Sequence, residues 1–357
     1  MRNISAAISV MMAIMAGLAL CAGKQAQAGC YQHSQAPDLE NYCALSLIAG
    51  KKVCRDAAML IERKLWDRGF DVNLSTEHID KPKDRTRPFA FASIDYVANM
   101  NGGNPQKDVQ IGEHVFTGDE ALVGLSGFMP SVTAGLSYLR RVDRGHIVTF
   151  SSDARFRRHL ETGYENKLYN IRGCSSQHIT EWSFVDICLR YSAVLKKLSK
   201  SEDRTASVAG AKVFSHPGDS SFAQARMGVV RLKTRDYVHR HIVAGYVTLF
   251  PEQKFHLSLE GRLGEKNQSK HVMRSGLTAR AGISRFKLPL SFSYSLEYYR
   301  GSRLFGVDRK DRTQTVAVTA RLTDRWSASL GFEKNTSRIT YFDTSSPIIV
   351  LNYHSAF

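Results

Sequence analysis

A two-residue alternation of apolar and polar side chains runs from Pro88 to the end of this 357-residue chain. In residues 288–299 almost every second residue is aliphatic or aromatic, and those between are mostly Ser, Pro or Glu. Successive side chains of a β-strand point to opposite faces, so this pattern predicts a strand with one apolar and one polar face. The same pattern recurs in residues 255–263, 316–322 and 326–333.

The length of this region predicts how many strands it holds. Residues 88–357 comprise 270 residues (357 − 88 + 1), and about 19 residues per strand and turn give about 14 strands, each long enough to cross a membrane. A soluble β-sandwich also alternates, but its packed core would not tolerate the Arg, Lys and Glu of the polar face. The prediction is an all-β fold, a transmembrane antiparallel β-barrel preceded by a short helical segment. Further strands are expected near 89–97, 114–127, 131–141, 145–157, 163–172, 184–197, 206–215, 221–233, 239–250 and 271–285.

The N-terminus has the pattern of an export signal. Arg2 precedes an uncharged stretch over residues 4–22, and Ala26-Gln27-Ala28 is a small-residue cleavage site. Residues 1–28 are therefore interpreted as a signal peptide, with a retained signal anchor as the alternative. Export and a barrel together predict localisation in the cell outer membrane.

Residues 29–87 are predicted as a periplasmic helix pair and a linker. Helical spacing of apolar residues over 38–69 favours two short helices, with Gly50 and Gly69 as stops. Residues 70–87 are polar and charged, which is typical of a linker. The outer-membrane barrel is then expected over 88–357.

The charge balance is strongly basic, with 49 Lys and Arg against 33 Asp and Glu. An exported protein has little access to nucleic acid, so no nucleic-acid partner is expected. In a barrel the excess predicts basic lumen walls and rims that meet anionic outer-membrane lipid.

The cysteines favour a disulfide. Cys174 and Cys188 are close in sequence and are the preferred candidate pair in an oxidising compartment. The chain has no C-x-x-C, no P-loop and none of the common hydrolase motifs, so no catalytic residue, cofactor or metal is predicted. His239 and His241 share a strand face, and such pairs are more often incidental than metal-binding.

The last strand resembles a bacterial barrel-assembly signal. Ile349, Leu351, Tyr353 and Phe357 alternate along one face and end in an aromatic residue. The barrel-assembly machinery, which reads such signals, is therefore an expected partner. Trp326, Tyr298, Tyr299 and Tyr353 are expected as aromatic anchors at the membrane interface.

Residues 305–343 resemble the closing segment of the surface lipoprotein assembly modifier family (Slam, DUF560). The resemblance implies a fourteen-stranded barrel that assists protein translocation, with a client lipoprotein or secreted protein as partner. Arg309 and Asp311 are interpreted either as a lumen-facing ion pair or as part of a solvated turn. The matching residues are Phe305, Gly306, Arg309, Asp311, Gly331, Phe332, Asn335, Ser337, Tyr341 and the terminal Phe357.

Three functions remain open from the sequence. The first is an accessory protein for surface display of lipoproteins or secreted clients. The second is a porin-like passive channel whose basic lumen favours anions. The third, a barrel enzyme, has no motif to support it.

Overall fold

The computed structural model describes residues 84–355 except 112–113, 144, 181–182, 216–221, 251–254, 268, 285–287, 305 and 324. Fourteen of its strands form one closed antiparallel barrel, and the two others form a separate two-stranded sheet. The strands are β1 (Asp84–Val97), β2 (Asp108–Ile111), β3 (His114–Thr117), β4 (Gly127–Asp143), β5 (His146–Arg158), β6 (Glu165–Thr180), β7 (Ser183–Leu195), β8 (Lys200–Ser215), β9 (Phe222–Thr234), β10 (Val238–Phe250), β11 (Phe255–Gly264), β12 (Val272–Ile283), β13 (Leu290–Leu304), β14 (Val307–Arg321), β15 (Trp326–Ser337) and β16 (Thr344–Ser355), with 3-10 turns at Glu120–Leu122 and Thr340–Phe342.

The barrel closes where β1 pairs with both β4 and β16. The β1–β4 register runs from Asp84 opposite Arg140 to Val97 opposite Gly127. The β1–β16 register is shorter, from Ala90 opposite Ser355 to Asp95 opposite Val350. Closure lets each wall strand pair on both sides, which is what a barrel in lipid requires.

The two faces of the wall differ in chemistry. On β1 and β4, Ile94 and Val132 are 48% and 59% exposed, whereas Asp95 and Thr133 on the opposite face are 3% exposed. Asp95 forms an ion pair with Arg157 of β5, two strands away, and only the concave side of a curved sheet allows such a contact. The face of Asp95 therefore lines the lumen (the inner face), and that of Ile94 is the outer face.

The prediction of about 14 strands is confirmed, and all barrel strands are 10 to 17 residues long. The single strand expected over 114–127 is wrong. That segment contains β3, a 3-10 turn and irregular chain, because it belongs to the connection between β1 and β4, which pair directly with each other in the wall. The barrel also begins earlier than residue 88, since Asp84–Arg87 already pair with β4.

The structure describes no residue before Asp84. The predicted signal peptide, the helix pair and most of the linker therefore lie outside the described residues. The 3-10 turns are the only helical elements within the described part of the chain, so the short helical segment stays a prediction. No helix among the described residues is long and apolar enough to cross a membrane.

The two ends of the barrel carry different connections. At the terminal end, β1 begins, β16 ends, and neighbouring strands are joined by the connections between β4 and β5 and between β14 and β15. At the loop end, β1 and β4 are joined by residues 98–126, here called the cap loop, which carry the β2–β3 sheet.

Candidate functional site: the barrel lumen

The inner face near the loop end carries a buried carboxylate with two cationic partners. Asp95 is 3% exposed, and its Oδ2 lies 2.9 Å from Arg157 Nε and 3.6 Å from Arg155 Nη1. The Ser93 hydroxyl donates to Asp95 Oδ1 at 3.0 Å. A buried carboxylate needs such partners to offset its lost hydration. These contacts tie β1 to β5 across β4.

A second inner-face network joins β11 to β13. Arg262 lies 2.6 Å from Glu260 and 3.3 Å from Glu297. The Tyr299 hydroxyl donates to Glu297 Oε2 at 2.7 Å. Tyr299 is therefore not an aromatic anchor at the membrane interface, because it points inward while its neighbour Tyr298 points outward.

Arg309 and Asp311 form an ion pair within β14 rather than a solvated turn. Arg309 Nη2 lies 2.6 Å from Asp311 Oδ2, and His271 Nε2 lies 3.1 Å from the same oxygen. The Ser337 hydroxyl donates to Asp311 Oδ1 at 2.6 Å. Serine and histidine both contact the carboxylate, whereas a Ser-His-Asp triad needs the histidine next to the serine. This cluster is an ion-pair network and not a nucleophilic site.

Four residues of the family-like motif form one cluster. Arg309, Asp311, Asn335 and Ser337 meet at the loop end, where Asn335 accepts from Thr313 at 2.9 Å and donates to the Phe342 carbonyl at 2.7 Å.

The remaining motif residues lie apart from that cluster. Tyr341 is in the adjoining 3-10 turn, and Gly306, at φ +80°, makes the β13–β14 turn. Gly331 and Phe332 are further along the wall, where Phe332 is on the outer face and 45% exposed. Phe305 lies outside the described residues.

The cap loop was not predicted from the sequence. It is hydrogen-bonded to two separate points of the rim. Lys196 Nζ donates to the Asn99 carbonyl at 2.7 Å, beside the β7–β8 turn. Gln106 Nε2 donates to the Thr340 carbonyl at 3.1 Å, in the connection between β15 and β16. In the barrel order β15, β16, β1, β4, β5, β6, β7, these two points are about half a circumference apart. The cap loop therefore narrows the mouth of the lumen.

The first residues of the cap loop are as buried as the core of a globular protein. Met100 and Asn101 are 3% and 1% exposed, and the Asn101 amide donates to the Val123 carbonyl at 2.7 Å. Gly102 has φ +77°, and a Cβ there would overlap Ser199. Burial and the nearby charge of Arg157 lower the pKa of Lys196. Residues Asn99 to Gly103, with two asparagines and two glycines, are a sequence signal for this turn.

Further along the lumen, three arginines have no carboxylate within ion-pair distance among the described residues. Arg172 on β6, Arg190 on β7 and Arg280 on β12 point to the inner face by register and are solvent-exposed. Arg280 lies between Ser258 and Ser293 on the adjacent strands. Their exposure on an inward face indicates that water fills this part of the lumen.

Cys174 and Cys188, the preferred pair, form a disulfide in the structure. They are directly opposite each other on β6 and β7, on the inner face. His239 and His241 have ring centroids 5.7 Å apart. Among the described residues no group of three or more His, Cys, Asp or Glu is arranged to hold a metal ion.

Ile349, Leu351 and Tyr353 of the expected assembly signal lie on the outer face of β16, and Phe357 lies outside the described residues. Aromatic pairs occur on the outer face near both ends of the wall. Trp326 and Tyr353 have ring centroids 5.0 Å apart at the terminal end. Tyr96 and Phe128 are 5.3 Å apart at the loop end.

No protein-family profile and no curated protein sequence matches this chain. Among solved structures, the chain is similar to Pseudomonas putida OprB, with 7% identity, a TM-score of 0.44, and coverage of 77% of this chain and 94% of that one. Pseudomonas aeruginosa OccK10 (OpdN) shares 9% identity, with a TM-score of 0.41 and coverage of 77% and 99%. Acinetobacter baumannii OccAB4 shares 8% identity, with a TM-score of 0.40 and the same coverage.

Proposed function

We propose that this protein is an outer-membrane channel through which small anions diffuse. The observation that carries the proposal is the set of solvent-exposed inner-face arginines, Arg172, Arg190 and Arg280. A barrel of eight strands is filled by its own side chains and one of 16–18 leaves an aqueous channel. Fourteen strands with exposed inward cations fit a narrow water-filled path.

The placement in a membrane rests on the outer face. Its exposed aliphatic residues, such as Leu330 at 63%, lie between the aromatic pairs near the two ends. An apolar band flanked by aromatic girdles is what outer-membrane barrels present to lipid. The partner of the outer face is thus outer-membrane lipid.

The charge arrangement supports anion preference. Three carboxylates of the loop-end half, Asp95, Glu297 and Asp311, are each held by an arginine, whereas Asp153 and Asp203 form no ion pair with an arginine among the described residues. The arginines deeper in the lumen are not neutralised in this way, so their field raises the local anion concentration. The transport step is passive, and none of these side chains is assigned a chemical step.

The test is reconstitution of the purified full chain in a planar lipid bilayer with a KCl gradient. The expected result is stepwise conductance with a reversal potential that is shifted from zero toward the chloride equilibrium potential. Arg280→Gln, which removes one unneutralised lumen charge, should shift that potential toward zero. Absence of any conductance, or cation selectivity, would overturn the channel proposal.

A second candidate function, assistance to client translocation, is favoured by the short β1–β16 seam. Among the described residues, that seam pairs six positions, Ala90 to Asp95, whereas the β1–β4 register pairs fourteen. A shorter seam has fewer hydrogen bonds to break, so less free energy is needed to open it. The unpaired strand edge that results can pair with an extended client. Together with the Slam-like residues at the loop end, it makes surface display of lipoproteins or secreted clients the alternative role.

The seam hypothesis has its own test. A cysteine pair at Ile94 and Leu351, which are directly opposite each other, would lock the seam under oxidising conditions. Surface proteomics of intact cells should then show loss of the client, restored by reductant, while ion conductance is kept. An unchanged surface proteome with the lock formed would contradict this role.

A further inference from the structure

The rung of the inner wall that carries Arg172 and Arg190 has an unusual composition. These two residues are directly opposite each other on β6 and β7. The same rung continues onto the two neighbouring strands, where Ser151 of β5 is opposite Arg172 and Thr205 of β8 is opposite Arg190. The four side chains share the inner face, so the rung presents two guanidinium groups between two hydroxyls. All four are hydrogen-bond donors.

The two arginines are held close together. Cys174 and Cys188, one inner-face position away, have Cα atoms 4.1 Å apart. This spacing marks a non-hydrogen-bonded pair, and alternate positions along an antiparallel ladder repeat that type. Arg172 and Arg190 therefore occupy the close type of pair, where opposed like charges are destabilising.

The surrounding contacts orient both guanidinium groups without neutralising them. Arg172 Nε donates to Cys174 Sγ at 3.1 Å, against the disulfide. Arg190 Nε donates to Asn170 Oδ1 at 2.7 Å. Asn170 in turn donates to Asp153 Oδ1 at 2.9 Å. Arg172 Nη2 also donates to Cys188 Sγ at 3.7 Å, and both arginines remain solvent-exposed.

The nearest acids are on the next rung toward the loop end. Asp153 and Asp203 occupy that rung on β5 and β8, and neither is within ion-pair distance of Arg172 or Arg190. A pair of cations kept together, oriented and left open to solvent is the arrangement that binds an oxyanion, because two guanidinium groups can hold two acceptor oxygens at once.

We propose that Arg172 and Arg190, with Ser151 and Thr205, form an oxyanion-binding site in the middle of the lumen. The site takes the phosphate or carboxylate group of a small solute. The Cys174–Cys188 disulfide positions it by fixing the β6–β7 pair and supporting Arg172. This inference deepens the proposed channel function, since it names the chemical group of the solute that the path selects.

The experiment measures binding of inorganic phosphate to the folded full chain in detergent micelles, by phosphorus NMR line broadening. Acetate titrations against bound phosphate report whether carboxylate competes. The double variant Arg172→Gln/Arg190→Gln should weaken phosphate binding by at least about tenfold. The control is Arg231→Gln, which removes one positive charge from an exposed residue of β9 on the outer face, and it should bind like wild type.

Two further variants separate charge from geometry. Arg172→Lys/Arg190→Lys keeps both charges but loses the planar fork, so its affinity should fall between wild type and the double Gln variant. Cys174→Ser/Cys188→Ser should weaken binding while the barrel still shows heat-modifiable mobility on a denaturing gel. A variant that loses this mobility has not folded and cannot report on the site. The Arg172→Lys/Arg190→Lys variant, which changes the side chains least, then provides the test.

The outcomes are distinct from those of the channel test because binding in micelles does not require conduction. Phosphate binding that is equal in wild type and the double Gln variant overturns the site, even in a conducting channel. Binding lost in the double Gln variant of a barrel that conducts nothing supports the site and overturns the channel. If acetate displaces phosphate at similar concentration, the site recognises oxyanions in general; if it does not, the solute carries phosphate.

Discussion

At the residue scale, two acids of the inner wall lie beside arginines that are two strands away. Asp95 on β1 meets Arg157 on β5, and Glu297 on β13 meets Arg262 on β11. Such contacts require side chains long enough to pass over the intervening strand. Arginine has this reach and offers several donors. These ion pairs therefore link strands across the concave inner face.

Asp95→Ala should be among the most destabilising single changes in the described wall. It leaves Arg155 and Arg157 without their shared anion, and breaking a buried pair costs about 3 kcal/mol, less here because both arginines are partly water-exposed. Urea unfolding in micelles, followed by tryptophan fluorescence, measures this loss. Asp153→Asn is the matched control, because Asp153 accepts only a neutral hydrogen bond from Asn170. Equal midpoints for the two variants would refute the role of the Asp95 ion pairs.

At the element scale, the cap loop controls how much of the lumen mouth is open. Its side-chain hydrogen bonds to the rim come from Lys196 and Gln106, at points about half a circumference apart, and the Leu198 N–H donates to the Asn101 carbonyl at 2.8 Å. Removing both side-chain donors loosens the loop at these two points without altering the wall. Lys196→Ala/Gln106→Ala should therefore conduct more per channel and with greater current noise.

The control for this change is Lys107→Ala, which removes a similar charge from the cap loop. Lys107 pairs only with the exposed Glu120, at 3.6 Å, and exposed pairs contribute little. Single-channel recordings of the three proteins compare open conductance directly. An unchanged conductance in the Lys196→Ala/Gln106→Ala variant would show that the cap loop does not narrow the path.

At the scale of the whole molecule, selectivity arises from the summed field of the lumen. An open lumen is filled with electrolyte, and the Debye length falls from about 10 Å at 0.1 M salt to about 3 Å at 1 M. Anion preference should therefore decline as the KCl concentration rises across that range. Reversal potentials at a constant concentration ratio measure the decline. Selectivity that is independent of salt would indicate a dry constriction rather than a water-filled one.

Much of the fold follows from local chemistry, and the sequence shows it. The alternation of residues along Leu290 to Tyr298 sets which side chains face outward, because the strand period is two. The close spacing of Cys174 and Cys188 likewise favoured them as a pair before their register was known. The N-terminal segment and Phe357 remain predictions, since they lie outside the described residues.

By itself, then, the sequence determined a β-barrel of about 14 strands, with an apolar outer face and a polar inner face, since both depend only on residue order. The tertiary structure decided what the inner face does. Asp95 meets Arg157, Arg172 lies beside Arg190, and the cap loop reaches Lys196, each through a register or curvature that local pattern does not encode. The two-residue period of a strand determines which face each side chain occupies. Only the closed barrel determines which of those side chains meet on the inner face.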